Sequence, residues 1–263
     1  MNGPSSFPAV EGRIERRLLV NLRIDPDRVA PVLPAPFRPL LVDGWAIAGL
    51  CLIRLAGLRP AGFPGQVPSW VPGRVPGARG ISTENVAHRI AVEWDENGER
   101  RTGVWIPQRH SSSWLTVGLG GRVFPAVHSY AHFDVRDTGS TISIEVTRHH
   151  APLASVSCTA ALRPPTDSVF GSLRDAEAFF RGGSTGVSPA ARRDRCDVVD
   201  LAVDRWNLQP LEIIEAHSTI LEALGPMDES SVWDSAFIMR DMPCRWTSPA
   251  GTDTHLEPEL LDR

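Results

Sequence analysis

The sequence predicts a mainly β protein of the α+β class. Up to about residue 165 the chain is a series of short apolar or alternating runs divided by turn residues, the pattern of strands in a sheet. Within it, Asp95-Glu96-Asn97-Gly98 separates two such runs, and Asn-Gly accepts the positive φ angles of a tight hairpin. Helical spacing is confined to a few short segments. With 263 residues, 42% apolar and 22% charged, the chain has the composition of an ordinary globule, not of a disordered or fibrous one. One domain over 1–263 is expected, with flexible ends at 1–12 and 251–263.

The elements follow in order. Leu18, Val20 and Leu22 alternate with Arg17, Asn21 and Arg23, which predicts a half-buried strand. Asp25-Pro26 supplies an N-cap and a first helical residue for a short turn ending near Pro34. Residues 40–54, with Trp45, Ile47, Cys51 and Ile53, are apolar on both faces and are expected deep in the core. From 56 to 80 the prolines at 60, 64, 68, 72 and 76 exclude a helix or central strand. So long a loop reads either as a lid or pocket wall, including Trp70, or as a disordered segment, the first being preferred.

Residues 84–94 and 101–106 are the arms of the hairpin. Residues 111–119 read as a short helix capped by one of three serines and ended by Gly120-Gly121. Strands are expected over 127–135, 141–147 and 154–162. A helix over 168–181 is indicated by Val169, Leu173, Ala176 and Phe180, ended by Gly182. Residues 211–224 satisfy helix and strand patterns alike. A last strand is expected over 237–246, then a solvated tail over 251–263.

Composition excludes several function classes. The net charge is −4, so the basic footprint of a nucleic-acid or membrane-surface binder is missing. All 27 basic side chains are Arg; with no Lys in the chain, imine chemistry by a side-chain amine is ruled out. Cys51, Cys158, Cys196 and Cys244 lack the spacing of a zinc or redox pair and read as buried free thiols. Neither a signal peptide nor a membrane span is indicated, which leads to the expectation of a cytoplasmic protein. Gly-x-Ser-x-Gly, phosphate-loop, dinucleotide and His-Glu-x-x-His motifs do not occur.

Strand alternation places Glu84, Val86, His88, Ile90, Val92 and Trp94 on one face. Burial would raise the pKa of Glu84 and lower that of His88, giving a poised acid and base, unless the two form a hydrogen-bonded core pair. On the next predicted strand His128, Tyr130, His132 and Asp134 share a polar face, which either lines a pocket or meets solvent. His128 and His132 would lie roughly 13 Å apart on a strand, too far to share one metal ion. Arg109, His110 and Ser113 precede the short helix. Arg109 is placed to clamp a carboxylate while serine or helix amides add donors; the competing reading is simple helix capping.

Residues 25–34, Asp43-Gly44-Trp45, Glu84-Asn85, Gly103-Val104, Gly120-Gly121-Arg122 and Asp234-Ser235-Ala236-Phe237-Ile238-Met239-Arg240 together resemble the acetoacetate decarboxylase-like superfamily, and its uncharacterised branch most closely. The resemblance implies an antiparallel cone-like β-barrel with flanking helices, an internal pocket and homo-oligomers. In the decarboxylases a Gly-Arg segment leads into Pro-Lys-Lys, whose first lysine forms the imine. Here that position falls near His128 or Ser129, so the imine mechanism is absent. Glu84 resembles a pocket glutamate of the family, and Arg122 matches too, with a structural role as the equal alternative. The expected activity is of lyase or isomerase type, by acid/base chemistry on an oxo acid or polyketide-like molecule. Glu84, His88 and His128 are the acid/base candidates, and Arg109, His110, Ser113, Tyr130 and Trp70 the binding residues. No cofactor, nucleic acid or membrane is expected, and the partner is a small molecule. The alternatives are a non-catalytic ligand-binding barrel and, third, a metal-assisted enzyme in which His88, His110 and His128 converge.

Overall fold

Runs dense in β-branched and apolar residues become long strands, and Pro, Gly and Asp punctuate them. A computed structural model describes residues 9–62, 81–121, 126–191 and 196–248. In chain order the elements are β1 (Val10–Ile24), α1 (Pro26–Val29), β2 (Arg38–Pro39), β3 (Leu41–Val42), β4 (Trp45–Pro60), β5 (Ile81–Glu96), β6 (Glu99–Ser111) and α2 (Trp114–Leu119). Then come β7 (Ser129–Tyr130), β8 (His132–Asp137), β9 (Thr141–Arg148), β10 (Ala151–Ala160), α3 (Leu173–Gly182), β11 (Thr185–Pro189), β12 (Cys196–Val203), β13 (Gln209–Ser218), α4 (Thr219–Glu222) and β14 (Ser231–Thr247).

All strands belong to one sheet. β1 pairs with β4 on one side and with β14 on the other, so hydrogen bonding runs around a closed ring, β1-β4-β5-β6-β11-β12-β14. β14 is long enough to serve two neighbours. Its end pairs with β12, and its middle with β13, from which β10, β9 and β8 continue. The sheet is mixed: β6 pairs in parallel with β11 and with β7, a correction to the all-antiparallel expectation.

Both faces of the shared strands are buried. On one, Leu18, Val20 and Leu22 pack with Ile144, Val146, Val156 and Ile238; on the other, Leu19 and Ile47 pack with Phe237, Met239 and the α3 residues Ala176 and Phe180. This explains why residues 46–52 look apolar throughout. Leu41 and Trp45, by contrast, flank the Asp43-Gly44 turn and are not fully buried. Both turn residues have positive φ, 49° and 81°.

Several boundaries differ from expectation. β4 continues to Pro60, because Leu58 pairs with Ile81 and Pro60, the last residue of the strand, with Val10. The rest of the proline-rich segment, with Trp70, lies outside the described residues. Residues 127–135 are not one strand: Ala131 separates β7 from β8 and donates its N–H to Ser111. Residues 211–224 resolve into β13 followed by one turn of helix, α4, capped by Ser218. α3 begins at Leu173, where Ser172 caps it; Leu162 lies beyond β10 in solvent. β11 and β12 carry too little alternation to be read in advance. The four cysteines are free and buried. Among the described residues no helix is long and apolar enough to cross a membrane.

Candidate functional site

The closed ring of strands surrounds a cavity of about 200 Å³ to which all seven contribute lining residues. Its walls are apolar, including Ile53 and Leu55 of β4, Ile106 of β6 and Val199 and Leu201 of β12. Three guanidinium groups enter this apolar space, from Arg17 on β1, Arg89 on β5 and Arg109 on β6. Among the described residues that line it there is no carboxylate.

The arginines are placed by register. Ala87 pairs with Cys51 on β4 and with Arg109 on β6, so these three lie in one row, and Arg89 follows on the same face of β5. Arg109 donates from Nε and Nη2 to the Ser188 hydroxyl, at 3.1 and 2.9 Å. Gly186 permits this: a Cβ there would lie 3.2 Å from Nη2. Arg89 is 5% exposed and donates to Asn21 Oδ1, while its Nε has no partner. Nε and Nη1 of Arg17 are buried with no partner either. Arg17 lies over Trp206 and Arg89 over Phe180, at 5.2 and 5.0 Å from the ring centroids. Burial pulls the pKa of Arg89 and of Arg109 down to about 10, which leaves both charged at neutral pH.

Two histidines join them. His128 follows α2 and Gly120, and its Nδ1 lies 3.1 Å from the Ala126 carbonyl. With Nδ1–H donating there, Nε2 keeps its lone pair. Burial first, and the Arg109 charge second, lower its pKa to about 4. His110 is 1% exposed, and neither ring nitrogen has a hydrogen-bond partner. Its pKa is also about 4, through burial and then Arg148. Both rings are neutral at pH 7 and competent to accept a proton. Asp197 stands close enough to Arg109 to feel its charge; its carboxylate accepts the Ala126 N–H at 2.7 Å.

The structure separates the remaining described candidates from this cavity. Glu84 and His88 lie on the opposite face of β5, a correction to the inward-facing assignment. Glu84 pairs with Arg16 and Arg54 at 2.6 and 2.9 Å. His88 is fully buried in the larger core, 6.0 Å from the His110 ring, and burial lowers its pKa to about 3. Ser113 spends its hydroxyl on the Thr116 N–H as the cap of α2. Tyr130 stacks on Trp114 at 4.0 Å, and His132 and Asp134 are exposed, so the polar face divides between cavity and solvent. Trp70 and Arg122 lie outside the described residues. Among those described, no three His, Cys, Asp or Glu side chains are grouped to hold a metal ion. Arg17, Arg89 and Cys51 are among the lining residues that sequence reasoning missed. One signal was available: Thr83, Asn85, Ala87 and Arg89 alternate as small or polar residues along the second face of β5.

Solved structures with this arrangement of strands are found at low sequence identity. Acetoacetate decarboxylase from Legionella pneumophila subsp. pneumophila str. Philadelphia 1 superposes with a TM-score of 0.57 at 15% identity, covering 95% of this chain and 88% of that one. An acetoacetate decarboxylase-like enzyme from Sphingomonas wittichii RW1 gives 0.56 at 16% identity, with 95% and 92% covered. The enduracididine biosynthesis enzyme MppR, complexed with pyruvate, gives 0.56 at 13% identity, with 95% and 91% covered. These likenesses establish the fold. No curated protein matches the sequence. Residues 12–235 match the model of the DUF2071 family, described as an uncharacterized conserved protein, and the chain therefore belongs to that family, with an acetoacetate decarboxylase-like fold.

Proposed function

We propose that the protein is a lyase- or isomerase-type enzyme acting on a small oxo acid, by acid/base catalysis and without an imine. The observation that carries the reading is the cavity itself, apolar walls with arginines and the neutral His128 at its lining. Arg109 binds the substrate carboxylate, since a guanidinium presents parallel donors to it. His128, whose neighbour in charge is Arg109, removes a proton next to the oxo group through Nε2. Substrate binding itself strengthens this base. The bound carboxylate cancels the Arg109 charge, and that charge is one of the two main causes of the low His128 pKa. The same His128 returns the proton in the isomerisation. The enolate oxygen that develops meets a guanidinium in a water-poor site, where such stabilisation is largest.

The neighbours add a consideration about ligands, since MppR has been solved with pyruvate and with a condensation product of pyruvate. A second reading, a ligand-binding barrel without turnover, draws on a different observation: no carboxyl group among the described residues lines the cavity. Solvent-deuterium exchange at the α-carbon of a 2-oxo acid, followed by NMR, separates the two. Exchange that is catalysed by the protein and lost in His128→Gln supports the enzyme; tight stoichiometric binding with no exchange and no turnover supports the binding barrel.

A further inference from the structure

Charge balance in the cavity gives more information about the ligand. Arg109 has a nearby anion, Asp197. Arg17 and Arg89 have none: among the described residues neither forms an ion pair, and their neighbours are the neutral Asn21 and the faces of Trp206 and Phe180. Aromatic faces hold a guanidinium flat and offset part of its desolvation, but they supply no counter-charge. Arg17 and Arg89 are moreover close enough for the charge of Arg17 to lower the pKa of Arg89. Two like charges in an apolar wall, with Nε of both and Nη1 of Arg17 lacking any acceptor, are costly unless an anion completes them.

We propose that Arg17 and Arg89 form a second anion subsite, so that the ligand of the cavity is a short diacid with one carboxylate on Arg109 and the other on this pair. The proposal rests on the reading of Arg109 as the first carboxylate site. The span between the subsites runs along Cys51, Ile53 and Ala87, which suits an aliphatic linker without further polar groups. The cavity volume of about 200 Å³ limits the ligand to a short chain.

A matched pair of probes tests this by titration calorimetry: 2-oxoglutarate and 2-oxopentanoate have the same carbon chain and differ in the terminal carboxylate. The wild-type protein should bind the diacid at least about tenfold more tightly. Arg17→Met should bring the two probes to within about twofold of each other by weakening the diacid alone. Because the substitution removes an uncompensated charge, it should melt no lower than wild type in ligand-free buffer. Arg17→Gln serves as the second variant, with the same expectation for binding. Equal affinity for the two probes in the wild type, or a diacid preference that survives Arg17 substitution, overturns the proposal. Undiminished affinity for both probes in Arg109→Met, with the diacid preference kept, would instead remove Arg109 from the site and leave the second subsite standing.

Discussion

Arg16 and Glu84 meet at 2.6 Å across the strand that separates them, with side chains only 5% and 12% exposed. Arg54, on that intervening strand, donates to the other carboxylate oxygen of Glu84 at 2.9 Å. Glu84 is thus the shared acceptor of two arginines on the face turned away from the cavity. Glu84→Gln should lower unfolding stability by about 2–4 kcal/mol, since breaking a largely buried pair leaves Arg16 uncompensated. Oxo-acid affinity should stay at the wild-type value. Urea denaturation and titration calorimetry on the same variant check both halves; weakened binding with unchanged stability would return Glu84 to the functional site.

Gly186 supports the Arg109 guanidinium by what it lacks. A methyl group there would press on Nη2 at 3.2 Å and on Ile106 Cδ1 at 3.3 Å. Gly186→Ala should displace the arginine, weaken 2-oxo acid binding by about tenfold and cost only about 1 kcal/mol of stability. Unchanged affinity would show that the position of Arg109 does not govern binding.

Acid should destabilise the protein earlier than carboxylate titration alone predicts. His88 and His110 are neutral in the folded state, with pKa values of about 3 and about 4 against an ordinary 6.5. Between pH 6.5 and those values the unfolded chain binds more protons, so stability falls as pH falls through that window. At pH 5 each histidine contributes a loss of about 2 kcal/mol relative to pH 7. Urea midpoints across this range measure the slope. His88→Phe should flatten it; a slope unchanged by that substitution would show that His88 is not the group being charged.

Cys51 lines the cavity in the same row as Arg109, whereas burial holds the thiols of Cys158, Cys196 and Cys244 up near 12. Alkylation should therefore be selective for Cys51. The anionic reagent iodoacetate should label it faster than neutral iodoacetamide, because guanidinium groups attract the carboxylate. Saturating 2-oxo acid should protect it. Peptide mass spectrometry after timed labelling checks the site and the ratio; a faster neutral reagent would argue against an anion-collecting cavity.

The strands, hairpin and caps were legible because they depend on neighbours in the chain. Asn97-Gly98 turns β5 into β6, Asp25 caps α1, and alternation on β5 sorts Glu84 and His88 from Ala87 and Arg89. Alternation also singled out His128, and a place ahead of the short helix singled out Arg109, without saying which enclosure they enter. Where it failed, the cause was a partner distant in the chain: Ala131 interrupts the predicted strand to hydrogen-bond Ser111, and Leu58 and Pro60 find partners on β5 and β1 that override their loop-like composition.

By itself the sequence determined a β-rich fold and, through the absence of Lys, the exclusion of imine catalysis. Which face of β5 borders the cavity was decided by tertiary structure alone. A period of two distinguishes the faces of a strand, but both faces of β1, β4 and β5 are buried, so polarity could not label them. The label comes from the pairing of β1 with β14, the two ends of the described chain, which closes the ring around Arg17, Arg89 and Arg109 and leaves Glu84 outside it.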